Sequence, residues 1–330
     1  MSGRARWRDH RWLRLAWRWL PLPLLALVAW LLYRQGVKMD WHAVRTALVG
    51  YRAGTLLAVS GLMLASFALY AGYELLARHY LAHRLSIART VFIALTSYAF
   101  NLNVGTLVGG AGFRYRLYAR SGLKPGTIAK LVAFCITTNW IGYVVLAGAL
   151  FLLGDVPIPD GWRVGGTALR VVGAFLLAVG IAYLGFCAFS RRRKLRVGRW
   201  HFQLPPFRTA LAQFALSLPN WLALAGMMWL LLGRQVPYPL VLEAMLLSAV
   251  AGALAHVPGA LGVLETVFIA VLGDRLDMHE LAAALVAYRV IYYFVPLLFA
   301  LVGYACFEWR ARHARAGARG SRPAAISQAA

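Results

Sequence analysis

Apolar residues along this chain gather into long runs, separated by short clusters in which arginine dominates. Runs at about 19–33, 53–76, 127–153, 167–189, 207–232 and 281–307 approach or exceed the roughly 20 apolar residues that a helix needs to cross a bilayer core. The pattern predicts six membrane-spanning helices. Pro21 and Pro23 open the first run, where a missing backbone N–H costs little. Between the first two runs, Trp41, Val44 and Leu48 recur at the spacing of one helical face, so 34–52 reads as an amphipathic surface segment.

Two further apolar stretches, about 91–113 and 239–273, are interrupted. The first carries Asn101-Leu102-Asn103-Val104-Gly105-Thr106-Leu107-Val108-Gly109-Gly110-Ala111-Gly112-Phe113-Arg114, and the second His256-Val257-Pro258-Gly259-Ala260-Leu261-Gly262-Val263-Leu264-Glu265. A Pro-Gly pair breaks the helical ladder, and hydrocarbon offers no water to the freed groups. Such breaks at membrane depth belong where protein or a polar cavity surrounds them, and a pair of them in the two halves of a chain points to a transport site.

Composition agrees with a membrane class. The chain has 330 residues, 61% of them hydrophobic, and a formal net charge of +24, against about 45–50% apolar for soluble domains. So basic a chain invites nucleic acid as a partner, but the charge lies in short runs between apolar spans, as orientation signals do. Residues 1–18, with Arg4, Arg6, Arg8, Arg11, Arg14 and Arg18 among Trp7, Trp12 and Trp17, read as a cytoplasmic interfacial segment. No small-residue cleavage site follows Leu32-Tyr33-Arg34, which predicts an uncleaved anchor. Cys135, Cys187 and Cys306 stand in separate runs, so neither a disulfide framework nor a zinc site is expected. No P-loop is present, and no cofactor is expected.

Charge also selects a topology. If both broken stretches cross, Arg191-Arg192-Arg193-Lys194 falls outside and the Asp155/Asp160 loop inside, against the positive-inside bias. If both are re-entrant hairpins, the basic segments 78–90, 114–126 and 190–206 fall inside with both termini; the four basic residues of 34–52 are the exception. The expected fold is all-α and polytopic, with six full spans and two oppositely inserted hairpins. A single domain covers 19–309, and 310–330 form a basic, irregular cytoplasmic tail.

Each hairpin would begin its returning limb near the midplane, at Gly109-Gly110 and at Gly259 to Gly262. Helix N-termini present unpaired N–H groups and partial positive charge, suited to an anion such as phosphate. Arg114 and Arg116 follow directly, and Arg116 shares a helix face with Arg120. Guanidinium groups bind phosphate by paired hydrogen bonds. The structural alternative is that the glycines permit close packing and the arginines mark the cytoplasmic boundary. Glu265 lies one turn into the second returning limb; pairing with Arg114, pairing with Arg289 and proton coupling are its alternatives, as is a purely structural ion pair. Arg289, Tyr292 or Tyr293, and Pro296 share one face of the last span. Asn139-Trp140 and Asn220-Trp221 read as helix-to-helix glue, and His256 as a cap or a titrating group. Glu74 and Glu243 read as solvated residues near span ends.

With these residues in view, the chain resembles the lysylphosphatidylglycerol synthase transmembrane-region family, which includes a flippase domain and stand-alone bacterial membrane proteins. The resemblance spans roughly 15–310 and rests on Asn103 to Arg116 with Gly122-Leu123, on Pro258 to Glu265, and on Arg289 to Pro296. Ala260 replaces a frequent second glycine, and Val104-Gly105 a common Pro-Gly. The resemblance implies a multi-pass bacterial inner-membrane protein that moves phospholipids or aminoacylated lipids between leaflets. Its headgroup site would draw on Asn103, Gly109, Gly110, Arg114, Arg116, Pro258, Gly259, Gly262, Glu265, Arg289, Tyr292 and Tyr293. Full synthases carry an aminoacyl-transferase domain after this region. About twenty residues follow Trp309, too few for a domain, so no enzyme activity is expected. The alternative is a membrane scaffold that recruits a separate lipid-modifying enzyme.

Overall fold

Side-chain caps and left-handed glycines punctuate the chain where the charge clusters fall. The Ser86 hydroxyl accepts from Arg89 N–H at 3.3 Å, and Asp277 Oδ1 accepts from His279 N–H at 2.8 Å and Glu280 N–H at 3.3 Å, each opening a helix. Gly122 and Gly233 take φ of +88° and +64° just past two helix ends. The computed structural model describes residues 41–153, 166–190, 194–197, 200–255 and 262–320. The described residues from Ala47 onward form one compact unit.

The described helices are α1 (Trp41–Gly50), α2 (Ala53–Tyr80), α3 (Ile87–Val104), α4 (Phe113–Arg120), α5 (Pro125–Leu153), α6 (Gly166–Phe189), α7 (Phe207–Leu231), α8 (Tyr238–Ala255), α9 (Val263–Leu272), α10 (Met278–Tyr288) and α11 (Val295–Gly320). π-Helical turns occupy Thr106–Gly112 and Arg289–Phe294. A small antiparallel hairpin, β1 (Lys194–Val197) with β2 (Trp200–Gln203), pairs Lys194 with Gln203 beside the strongest basic run.

Among the described residues, six stretches are long and apolar enough to cross a membrane: 53–80, 125–153, 166–189, 207–231, 238–255 and 278–309. The chain is thus a polytopic helical membrane protein. Five of the spans expected from sequence recur with small shifts at their ends; the expected first span, 19–33, and the segment 1–18 lie outside the described residues. The sixth stretch found is α8, the first limb of the second broken stretch. Its 18 residues reach about 27 Å, most of a bilayer core. The last helix continues to Gly320, so residues 310–320 of the expected irregular tail are helical.

Small residues let the helices meet closely, as membrane packing requires. A methyl group on Gly142 of α5 would stand 2.2 Å from the Ser217 hydroxyl of α7, and one on Gly173 of α6 would stand 2.6 Å from Leu152 N of α5. Polar bonds fasten the same layers. Gln213 of α7 accepts from Tyr183 of α6 at 2.6 Å and donates to Thr138 of α5 at 2.7 Å. Ser217 and Trp221 both donate to the Asn139 backbone carbonyl.

Both breaks differ in detail from expectation. The first interruption falls at Gly105, at φ +97° and ψ 166°, four residues before the Gly109-Gly110 pair. The chain then returns as a π turn before α4 begins at Phe113. Residues 256–261, including Pro258 and Gly259, lie outside the described residues; α9 resumes after Gly262, at φ +79°. The π turn at Arg289–Phe294 was not foreseen at all. Pro296 follows it, lacking the N–H that a regular helix would offer and crowding the carbonyl one turn back. A locally widened ladder relieves both.

Candidate functional site at the junction of the two hairpins

The segment Arg289–Phe294 touches both broken stretches. Toward the second, Arg289 donates Nε to Glu265 Oε1 and Nη2 to Glu265 Oε2, the latter at 2.9 Å. This two-pronged pair selects Arg289 among the partners open to Glu265 in sequence. Its carboxylate side chain keeps 30% of its exposure while Arg289 keeps 9%, so one side of the pair is accessible. The Arg289 guanidinium also lies over the Tyr293 ring, 5.2 Å from its centroid.

Toward the first hairpin, Asn103 Nδ2 donates to Tyr293 O at 3.1 Å and to Ala99 O at 2.9 Å. The π register frees backbone carbonyls, and the Asn103 amide satisfies one of them. One turn away, the hydroxyls of Tyr292 and Tyr98 meet at 2.6 Å, and Tyr292 meets Ser66 of α2 at 2.9 Å. Ser66 in turn donates to Asn220 Oδ1 of α7 at 2.7 Å. An amide oxygen only accepts, so the Ser66 proton is committed and the donors run Tyr98 to Tyr292 to Ser66 to Asn220. Four buried groups on α3, the π turn, α2 and α7 thus form one directional chain.

Arg114 belongs to a separate, sealed cluster. Its Nε donates to Glu74 Oε1 at 2.6 Å and its Nη2 to Tyr70 OH at 2.8 Å, while Tyr118 OH donates to Glu74 Oε2 at 2.5 Å. Glu74 is fully buried and the Arg114 side chain is 4% exposed. The Tyr70 ring stacks on Tyr98 at 3.5 Å between centroids, joining this cluster to the hydroxyl chain. Glu74 is therefore not the solvated residue expected: α2 runs on to Tyr80, which leaves Glu74 well inside the helix facing Arg114. Glu243 is likewise buried, because it sits in the second turn of α8 rather than at its end.

Arg116 is buried beside α11. It donates Nη2 to Glu308 Oε1 at 3.0 Å, and Arg120 Nη1 donates to the other Glu308 oxygen. Gly109 and Gly110 are buried too, against α3. A methyl group at Gly109 would stand 2.2 Å from Phe100 O, and one at Gly110 would stand 2.6 Å from Asn101 Oδ1. The approach these glycines allow in this structure is to their own helix. Gly262 differs: among the described residues, nothing lies within 4 Å of its added methyl position.

The structure thus gathers Asn103, Tyr292, Tyr293, Arg289 and Glu265 around one segment, and places Arg114 and Arg116 in two neighbouring clusters. Sequence reasoning missed Tyr70, Tyr98, Tyr118, Ser66 and Glu308. Glu74 was within reach, since an acid inside an apolar span is a functional candidate by default; the tyrosines carried no signal of their own.

Comparison with known proteins adds to this picture. The family model described as the lysylphosphatidylglycerol synthase TM region matches residues 19–300. The chain is 43% identical over 307 residues to the inner membrane protein YbhN of Escherichia coli, covering 93% of this chain and 96% of that protein. It is 31% identical over 279 residues to slr0712 of Synechocystis, covering 81% and 84% respectively. A match of that extent, on a polytopic helical frame, places this chain in the lysylphosphatidylglycerol synthase transmembrane-region family.

Proposed function

We propose that the protein is a flippase-like transporter of the bacterial inner membrane, passing the headgroup of a phospholipid or aminoacylated lipid between leaflets. The acyl chains stay in lipid while the headgroup crosses a polar slot between two re-entrant hairpins of opposite insertion, with both termini cytoplasmic. Glu265 and Arg289 face the headgroup, Gly262 lends its open backbone, and Tyr292, Tyr293 and Asn103 hold the slot's wall. Arg116 reads phosphate, and Pro258 and Gly259 complete the break. Arg114, Gly109 and Gly110 set the first hairpin's shape. On this reading the protein transports lipid and does no chemistry on it.

The observation that carries the reading is the half-open Glu265–Arg289 pair, held by the segment that also grips the first hairpin. A charge pair retained at membrane depth and left accessible on one side is costly unless it is used. The test is leaflet-resolved scrambling of a fluorescent phospholipid in proteoliposomes. Wild type should move lipid, and Glu265→Gln or Arg289→Gln should insert normally and move it at least tenfold more slowly. A wild type that moves no lipid would favour the scaffold alternative, in which this family member recruits a lipid-modifying enzyme. The sealed Arg114–Glu74 cluster of the first hairpin is the feature that fits that second reading.

A further inference from the structure

Arg116 and Tyr304 carry buried polar groups that no described residue fills with a well-formed bond. Among the described residues, Arg116 Nε and Nη1 and the Tyr304 hydroxyl meet no hydrogen-bond partner of good geometry, although the Arg116 side chain is only 9% exposed. Buried polar groups are almost always satisfied, so three orphans in one place call for a ligand. They are in one place: the Arg116 guanidinium lies over the Tyr304 ring, its Cζ 5.9 Å from the centroid. Tyr304 and Glu308 stand one turn apart on α11, as Arg116 and Arg120 do on α4. Phe113 and Phe100 pack edge-on against the Tyr304 ring.

Charge identifies the missing group. Two arginines share one carboxylate, Glu308, which leaves one positive charge in excess among the described residues of this cluster. Glu308 holds Nη2, the nitrogen common to both forks of the guanidinium, while Nε and Nη1 on either side are unpaired. Release of Nη2 would open a two-pronged edge spaced for two oxygens of one phosphate. Glu308 is the least buried acceptor there, at 12%, and is placed to swing away.

We infer that Arg116 and Tyr304 form a subsite for a monoanionic phosphodiester, with Glu308 as its internal competitor. The inference rests on the transport reading in taking that phosphodiester to be a lipid's; the recognition chemistry would serve free phosphate as well. The subsite reads the phosphate common to phospholipids and leaves the rest of the headgroup to Glu265 and Arg289.

The test is equilibrium binding of radiolabelled dihexanoyl-phosphatidylglycerol to the purified full chain in dodecyl maltoside, in phosphate-free buffer. Wild type should bind saturably, and unlabelled dihexanoylglycerol, which lacks the phosphate, should not compete. Arg116→Gln should weaken binding about tenfold or more and Tyr304→Phe by about three- to tenfold, as loss of charged and neutral hydrogen bonds implies. Glu308→Gln should tighten it. Unchanged affinity in a monodisperse Arg116→Gln protein would overturn the subsite, and so would a Glu308→Gln protein that binds as weakly as Arg116→Gln. Should Arg116→Gln fail to fold, a loss in Tyr304→Phe with a gain in Glu308→Gln supports the subsite, and no change in either overturns it. Inorganic phosphate that displaces the lipid at equal concentration would overturn the lipid assignment. A wild type that binds but does not scramble removes the transport reading and leaves the subsite; an Arg116→Gln protein that scrambles at the wild-type rate does the reverse.

Discussion

The two hairpins present the same ingredients, a glycine break followed by a short helix and a charged pair, and use them in opposite ways. In the first, Gly109 lies so near α3 that any side chain would strike the Phe100 carbonyl, and Arg114 and Glu74 are shut away with three hydroxyl and guanidinium bonds between them and two tyrosines. In the second, no described residue lies within 4 Å of a methyl added at Gly262, and Glu265 keeps nearly a third of its side chain exposed. A sealed pair contributes rigidity because neither charge can be left alone in a medium without water. An open pair can exchange its partner for a ligand at smaller cost. The lesson is that glycine next to a buried charge does not by itself mark a binding site; what fills the space beside it decides.

The comparison can be broken most directly at the acids. Glu74→Gln leaves Arg114 buried without its counter-charge and should cost about 3–5 kcal/mol, as breaking one side of a buried pair does. Glu265→Gln should cost less, because its carboxylate side is 30% exposed, although it too takes a counter-charge from the buried Arg289. Thermal unfolding of the two variants in detergent should separate them clearly, and equal losses would end the distinction between the hairpins. A smaller effect is expected at the glycines. Gly109→Ala forces a methyl into the α3 backbone and should destabilise by about 1–3 kcal/mol, typical of overpacking. Gly262→Ala meets no atoms and carries only the left-handed backbone penalty of about 1–2 kcal/mol. The informative readout is transport: Gly109→Ala should lose activity in proportion to folded protein, whereas Gly262→Ala should stay folded and still slow scrambling.

The smallest effect is a pH dependence at the foot of the sealed hairpin. His83, in the loop after α2, has both ring nitrogens buried with no hydrogen-bond partner among the described residues, and lies against the Tyr118 ring. Burial first, and Arg78 second, push its pKa below 6.5, with Glu74 pulling the other way. The folded protein therefore binds fewer protons than the unfolded chain as pH falls below 6.5. Stability is full above that value and declines as pH drops toward the folded pKa. A His83→Leu variant should flatten the decline in a pH series of thermal unfolding; an unchanged slope would clear His83 of the effect.

Spans were legible in sequence because long apolar runs between arginine clusters have few other uses. The ends of α2, α5, α6, α7 and the last span moved by only a few residues between expectation and structure. The Glu265–Arg289 pair was legible as one of two choices, since both arginines are cations near a break; only the fold assigns Arg114 to Glu74. Two features were not legible. The first is the π register at Arg289–Phe294, which shares its composition with an ordinary helix and shows only in the backbone. The second is the burial of Glu74, which depends on how far α2 continues and on what crosses it. Gly105 was overlooked as the point of reversal because Gly109-Gly110 is the more conspicuous pair, though only Gly105 adopts a left-handed φ.

A π turn stores one surplus residue in its ladder. Were Arg289–Phe294 to tighten into a regular helix, the residues on one side would rotate by about 100° relative to those on the other, the angle that one residue subtends. Arg289 and Tyr292 sit inside that turn, so such a rotation would withdraw the guanidinium from Glu265 and the hydroxyl from Tyr98 and Ser66 in the same stroke. The two hairpins are therefore keyed to a single screw thread, and a change in its register would loosen both holds together.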